Sequence, residues 1–207
     1  ICLILCSALV NGQQPLRKNI PGTKCTMEIK EGFVAAKRFN GFENLKGGAA
    51  VIVSVLQSPI EKNKSAFSQE EMKRLGMTFV SNSEPDLGGL KTSLFEMTQM
   101  NKGVKFRKYI LIFGDTAKTV MINCGAPDSN SRLCEEVKAM ALSVKYEPLV
   151  EEDLEAGVDF IVDAKSQGFM PAKYSLGGLV YTRDGKTQTE SDDNASFLVG
   201  PSIKKVK

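Results

Sequence analysis

The sequence predicts an α+β fold: an antiparallel sheet flanked by helices, followed by a partial repeat of the same domain. Three observations predict it. Tyr109 to Phe113 is apolar without a break, β-branched and aromatic, and too short to prefer a helix, which suits a strand covered on both faces. Gly114-Asp115 then turns the chain and Thr119 to Cys124 resumes a β-rich run, so the pair reads as a hairpin at the centre of a sheet. Leu133, Val137, Met140, Ala141 and Val144 recur at the spacing of one helical face, an amphipathic stripe that can lie across that sheet.

The bulk numbers narrow the class. With 42% hydrophobic and 25% charged residues, the 207-residue chain has the composition of a soluble globular protein with one or two domains. A net charge of +3 is too small to argue for nucleic acid, and Lys204-Lys205-Val206-Lys207 reads as a solvated tail. The chain has no histidine. That removes every serine or cysteine nucleophile activated by histidine, together with the commonest general base and metal ligand. Ser–Lys and carboxylate pairs stay open, though no spacing singles one out.

Ile1 to Val10 has the length of a signal-peptide h-region and is too short to span a bilayer. Val10 and Gly12 are small enough for the −3 and −1 positions. The expectation is a signal remnant over 1–12 cut before Gln13, an N-terminal segment over 13–23, and no transmembrane segment in the mature chain. The start of the sequence reads as lying inside the signal. Export, periplasmic or extracellular, would leave Cys25, Cys124 and Cys134 in an oxidising compartment. Cys124 ends the central hairpin and Cys134 lies in the first turn of the following helix. Two states stay open for them: a Cys124–Cys134 disulfide, or buried thiols acting as small hydrophobes.

From the cleavage site onward the elements follow in order. Cys25 to Lys30 alternates as a strand, with Phe33 to Phe39 as its expected partner. Ala49 to Leu56 is apolar enough for a covered strand that Ser58-Pro59 ends. Ser68 with Glu71 forms a capping box, Phe67 with Met72 the hydrophobic staple around it, and Gly76 a left-handed stop, so a helix is predicted from about Gln69 to Leu75. Asn82 to Gly89 is a loop by composition. Strands near 90–100, 105–113 and 118–124 form an antiparallel meander, because their connections are too short for a crossover. The helix bearing the apolar stripe then leads to a first domain boundary at Tyr146-Glu147-Pro148.

Beyond the acidic linker Val150 to Ala156 the front of the first domain recurs. Glu31-Gly32-Phe33-Val34-Ala35-Ala36-Lys37-Arg38 lines up with Gln167-Gly168-Phe169-Met170-Pro171-Ala172-Lys173-Tyr174, an offset of 136 residues. Ala50 to Ile60 resembles Ala195 to Ile203 in the same order. Leu179 to Thr182 with the Asp184-Gly185 turn gives a local hairpin expected to be missing from the first copy. The expected domains are therefore 24–148 and, as the N-terminal part of a truncated second copy, 157–207.

Gly32-Phe33, Ala50 to Val53, Tyr109 to Asp115, Thr119 to Ile122 and Leu142-Ser143-Val144 together resemble the PsbP/Mog1-like family of secreted α/β/α sandwich domains. The likeness covers 24–147 and the front of a second domain from 157. It implies an α/β/α sandwich and a non-catalytic accessory or binding role. The family's photosynthetic members use histidines for metal, and this chain has none. Cys124-Gly125-Ala126-Pro127 also stands where a Tyr-Pro is usual.

The remaining motifs each have a structural reading that competes with the functional one. Glu190, Asp192 and Asp193 lack the spaced pattern of a calcium loop and read as a solvated loop. Asn63-Lys64-Ser65 and Asn194-Ala195-Ser196 match glycosylation sequons. Gly88-Gly89 and Gly177-Gly178 are not phosphate loops, since no Lys-Ser/Thr follows them. Asp115 and Asp128 would have to share one sheet edge to act as paired carboxylates. No cofactor or metal site is predicted, and no catalytic residue. The expected function is a non-catalytic extracytoplasmic binding or accessory module acting through an unknown protein or cell-envelope partner. Its rivals are a histidine-independent hydrolase or transferase with a sheet-edge pocket, and a small-ligand carrier.

Overall fold

The Tyr109–Phe113 run sits in the interior of the protein, no residue of it more than 4% exposed. In the computed structural model, which describes residues 16–20, 23–147, 154–155, 158, 160–175, 178–187, 192–193 and 195–200, it belongs to the strand β8 (Val104–Gly114). The odd residues Tyr109, Leu111 and Phe113 enter one apolar cluster, and the even residues Ile110 and Ile112 enter another. Alternation of side chains across a strand makes that division, and burial on both faces explains why the run carries no polar residue.

Seven antiparallel strands form the main sheet in the order β3-β4-β5-β9-β8-β7-β6. They are β3 (Val34–Ala35), β4 (Gly41–Asn44), β5 (Ala49–Leu56), β6 (Met77–Ser83), β7 (Thr92–Asn101), β8 and β9 (Thr119–Pro127). The predicted meander is the β7-β8-β9 stretch, with Leu111 opposite Leu94 and Ile122. One face is covered by α3 (Ser131–Leu142), whose Leu133, Val137, Met140 and Ala141 are buried, with Val144 just beyond it. Burying a large aliphatic side chain contributes ~1.5–3 kcal/mol. The Asn130 cap, whose Oδ1 accepts from the Leu133 amide at 3.1 Å, contributes ~1 kcal/mol. Packing of the stripe therefore outweighs the cap. The other face carries α1 (Ile60–Ser65) and α2 (Gln69–Arg74) through Ile60, Phe67 and Met72. Ser68 caps α2 as expected, its Oγ accepting from the Glu71 amide, and Gly76 takes a φ of +70°.

These helices cover the sheet only in part, so the expected α/β/α sandwich, an antiparallel sheet flanked by helical layers, is not what the chain forms. Strand makes up 45% of the structure and helix 17%, in three sheets with three α-helices among the described residues. Two of those helices are only six residues long. The layer beside α3 is itself a sheet, built from β1 (Arg17–Ile20), β2 (Cys25–Glu28) and β10 (Lys145–Tyr146) in the order β1-β2-β10. Ile20, Cys25 and Met27 of that sheet pack into the same cluster as α3. The β2 strand pairs with β1 and β10, so its expected pairing with Phe33 to Phe39 is also wrong. The short β3 inside that stretch pairs with Gly41–Asn44 instead.

A third sheet, β11-β12-β13, follows, from β11 (Met170–Ser175), β12 (Gly178–Thr182) and β13 (Ser196–Val199). A 3-10 turn at Lys165–Gln167 precedes it, and its cluster centres on Ala164, Leu179 and Tyr181. The local hairpin expected at Asp184-Gly185 is not what forms here, because β12 pairs with β13 across residues 183–195, whereas β4 and β5 are joined by residues 45–48 alone. The predicted signal segment, the acidic linker apart from Leu154 and Glu155, Glu190 and Asn194 lie outside the described residues. No helix among the described residues is long and apolar enough to cross a membrane.

Candidate functional site

On β5 the odd residues Val51 and Val53 point into the core, which turns Ile52, Ser54 and Leu56 to the opposite face. That face is half-buried there, because α1 and α2 cover β7 and β8, further along the sheet beyond β9. The uncovered stretch forms the floor of a cleft of about 370 Å³. Arg38 from the β3–β4 connection and Lys118 from the β8–β9 turn stand at its sides, and Leu154, Ala172, Lys173 and Tyr174 close it from the second part of the chain.

The chemistry of this lining is mixed. Ile52, Leu56 and Leu154 supply apolar wall, Ser54, Gln57, Asn40 and Thr187 supply hydroxyl and amide groups, and Arg38, Lys118 and Lys173 bring three cations. Apolar wall with a few polar groups placed to fix orientation is the make-up of a ligand site. Cations beside an apolar floor fit a group that is anionic at one end and apolar at the other.

A second, wider groove of about 720 Å³ lies between the β4–β5 turn and the start of α3. Its polar residues serve the fold. Arg132 donates to Glu136 at 2.9 Å, Asn130 caps α3, and the Asn44 Oδ1 accepts from the Gly47 amide at 2.9 Å. The first cleft is therefore the better candidate.

The titratable groups elsewhere are held in states that suit structure. Arg107 donates to Asp128 at 2.7 Å and to Glu96 at 2.6 Å, and Lys105 reaches Asp128 at 3.1 Å. Lys138 of α3 adds a contact to Glu96 at 3.8 Å and lies over the Tyr109 ring. Arg107, then Lys105, holds the Asp128 carboxyl below the usual carboxylate range. Burial, with Glu96 beside it, pushes the Tyr109 phenol up to about 12. Asp115 accepts from the Ala117 and Lys118 amides at 2.7 and 2.9 Å, and these hold it low as well.

Asp115 and Asp128 flank the nine-residue β9 at its two ends, so they share no edge and cannot work as a pair. Cys25, Cys124 and Cys134 are buried in one cluster. Cys124 and Cys134 are thiols whose ionisation burial pushes upward. Asn63 of the first sequon is engaged in the fold: its Nδ2 donates to Ser58 Oγ at 2.8 Å and to Thr119 Oγ1 at 2.9 Å, tying α1 to β9. Asp193 of the acidic loop accepts from the Ala195 amide and from Arg183, which hold it low. The cleft residues were missed from the sequence because they come from six separate stretches with no shared motif.

No protein-family model matches the sequence, and no curated protein matches it. Among solved structures, the chain is similar to a protein from Bacteroides thetaiotaomicron at 16% identity and a TM-score of 0.43, over 67% of this chain and 50% of that one. It spans half the length of that protein. It is also similar to LpqN, involved in cell envelope biogenesis of Mycobacterium tuberculosis, at 13% identity and 0.46, over 67% of this chain and 88% of LpqN. A third is cyanobacterial PsbP (CyanoP) from Synechocystis, at 11% identity and 0.48, over 70% of this chain and 98% of CyanoP.

Proposed function

We propose that the chain is a non-catalytic, extracytoplasmic binding or accessory module acting through a protein or cell-envelope partner. Its domains would be 24–148 and the front of a second copy from 157, with kinship to the PsbP/Mog1-like family resting on the motifs around Gly32-Phe33 and Tyr109 to Asp115. The observation that carries the reading is the cleft over β5, where an apolar floor meets Arg38, Lys118 and Lys173. Such a lining recognises acidic or amphiphilic groups. The other titratable groups support the same reading. A carboxylate held low is a poor proton acceptor.

Calorimetric titration with decyl phosphate tests the cleft. The reading expects saturable binding that Lys173→Glu weakens about tenfold, the worth of ~1.4 kcal/mol, with no phosphate released. Phosphate release with saturation kinetics, or binding indifferent to Lys173, would refute it. In an oxidising compartment the same proposal includes a Cys124–Cys134 bridge. Alkylation of the unfolded chain should then spare two cysteines unless reductant is present; full alkylation without reductant counts against the bridge.

A further inference from the structure

The two short meanders, β3-β4-β5 and β11-β12-β13, agree in more than strand order. Each is entered through a glycine in the left-handed region, Gly32 at φ +81° and Gly168 at φ +72°, followed by a phenylalanine. Each central strand opens on a glycine pressed against the third strand. A Cβ on Gly41 would lie 1.9 Å from the Val51 carbonyl oxygen, and one on Gly178 would lie 2.2 Å from that of Val199. The residue after each glycine is buried and pairs with the same partner position, Phe42 with Val51 and Leu179 with Val199. Chance likeness between short apolar strands does not supply matching backbone contacts, so β13 occupies the place in its meander that β5 occupies in the first.

What happens beyond that strand differs. The outer edge of β5 is bonded to β9, in register from Ala50 opposite Gly125 to Leu56 opposite Thr119. On the buried side β9 contributes Ile122, Cys124 and Ala126 at alternate positions. Among the described residues, β13 is the terminal strand of its sheet, paired with β12 only. Leu198, which corresponds to Ala50, is 57% exposed. An unpaired edge presents backbone donors and acceptors ready for another strand.

We propose that the outer edge of β13 accepts an extended strand from a partner protein, running antiparallel and apolar at alternate positions, in the place that β9 takes beside β5. This is strand addition, in which backbone hydrogen bonds give affinity and alternate side chains give specificity. The inference rests on the reading of the chain as a module with a protein partner. It uses a surface outside the cleft, so decyl phosphate binding and strand capture fail separately.

The test uses a labelled peptide with the sequence of residues 119–127 carrying Cys124→Ser, added to the whole chain, with hydrogen exchange read at those amides of 196–199 that face away from β12. The expected result is saturable binding, protection of those amides, and loss of both with a scrambled peptide. Leu198→Lys, at a position exposed enough to leave folding intact, should weaken capture about threefold, the scale of one cross-strand pair. Three results would overturn the proposal: no protection on adding peptide, amides already protected in the dilute chain alone, or protection that rises with chain concentration without peptide. The second means that the chain fills its own edge, and the third that two copies pair there.

Discussion

The two meanders share strand order, entry glycines and close strand contacts, yet they are buried to different depths. In the first, Phe42, Val51 and Val53 sink into a cluster that also takes residues from β1, β2, β8, β9 and α3. In the second, Ala164, Leu179 and Tyr181 are buried, while Leu154, Val158, Phe169, Phe197 and Val199 around them stay partly open. Strand pairing is therefore a local matter that glycine placement and alternation can specify. Depth of burial is set by layers arriving from elsewhere in the chain, and those layers cover the first meander on the α3 side.

The sharpest way to break this comparison is to cut a methyl-rich side chain from each core. Leu111→Ala removes a fully buried residue from the deeper cluster and should cost ~3–5 kcal/mol, while Leu179→Ala in the shallower one should cost ~2–3 kcal/mol. Thermal melts should place the first loss in the main transition and the second in a separate, earlier one. Equal losses in a single transition would erase the distinction.

Acid should act on the first region through its ion pairs. Asp128 is held below its ordinary value, so the stability it lends is complete above the usual Asp range near ~4 and drains as pH falls through the lower folded value. Asp128→Asn should therefore flatten the acid limb of the stability curve, followed by circular dichroism from pH 6 to pH 2, and leave the second meander's melt unchanged. A smaller effect belongs to α2. Removing its cap with Ser68→Ala should cost ~1 kcal/mol in chemical denaturation, again only in the main transition.

Legibility from sequence followed the same divide between local and distant causes. The β8 run was readable because a strand covered twice cannot afford a polar residue. The α3 stripe was readable because five apolar residues fall on one face, and α2 because the box at Ser68 and Glu71 brackets it. The helix α1 escaped notice: Pro59 gives it no side-chain cap, and Ile60 is its one buried residue. The edge strand β6 was missed and its end, Asn82-Ser83, read as loop by composition, since its last four residues are exposed and carry no apolar alternation. The expected sandwich failed for a non-local reason, since β2 meets β10 across some 120 residues of chain and no periodicity announces such a pairing. The cleft was hidden for the same reason.

Native-state hydrogen exchange on the whole chain puts the central contrast to its most direct trial. The amides of Tyr109–Phe113 should open only with global unfolding, whereas those of Leu179–Tyr181 should open in a separate event of lower free energy, with distinct denaturant slopes for the two. A single shared opening for both stretches would contradict the account.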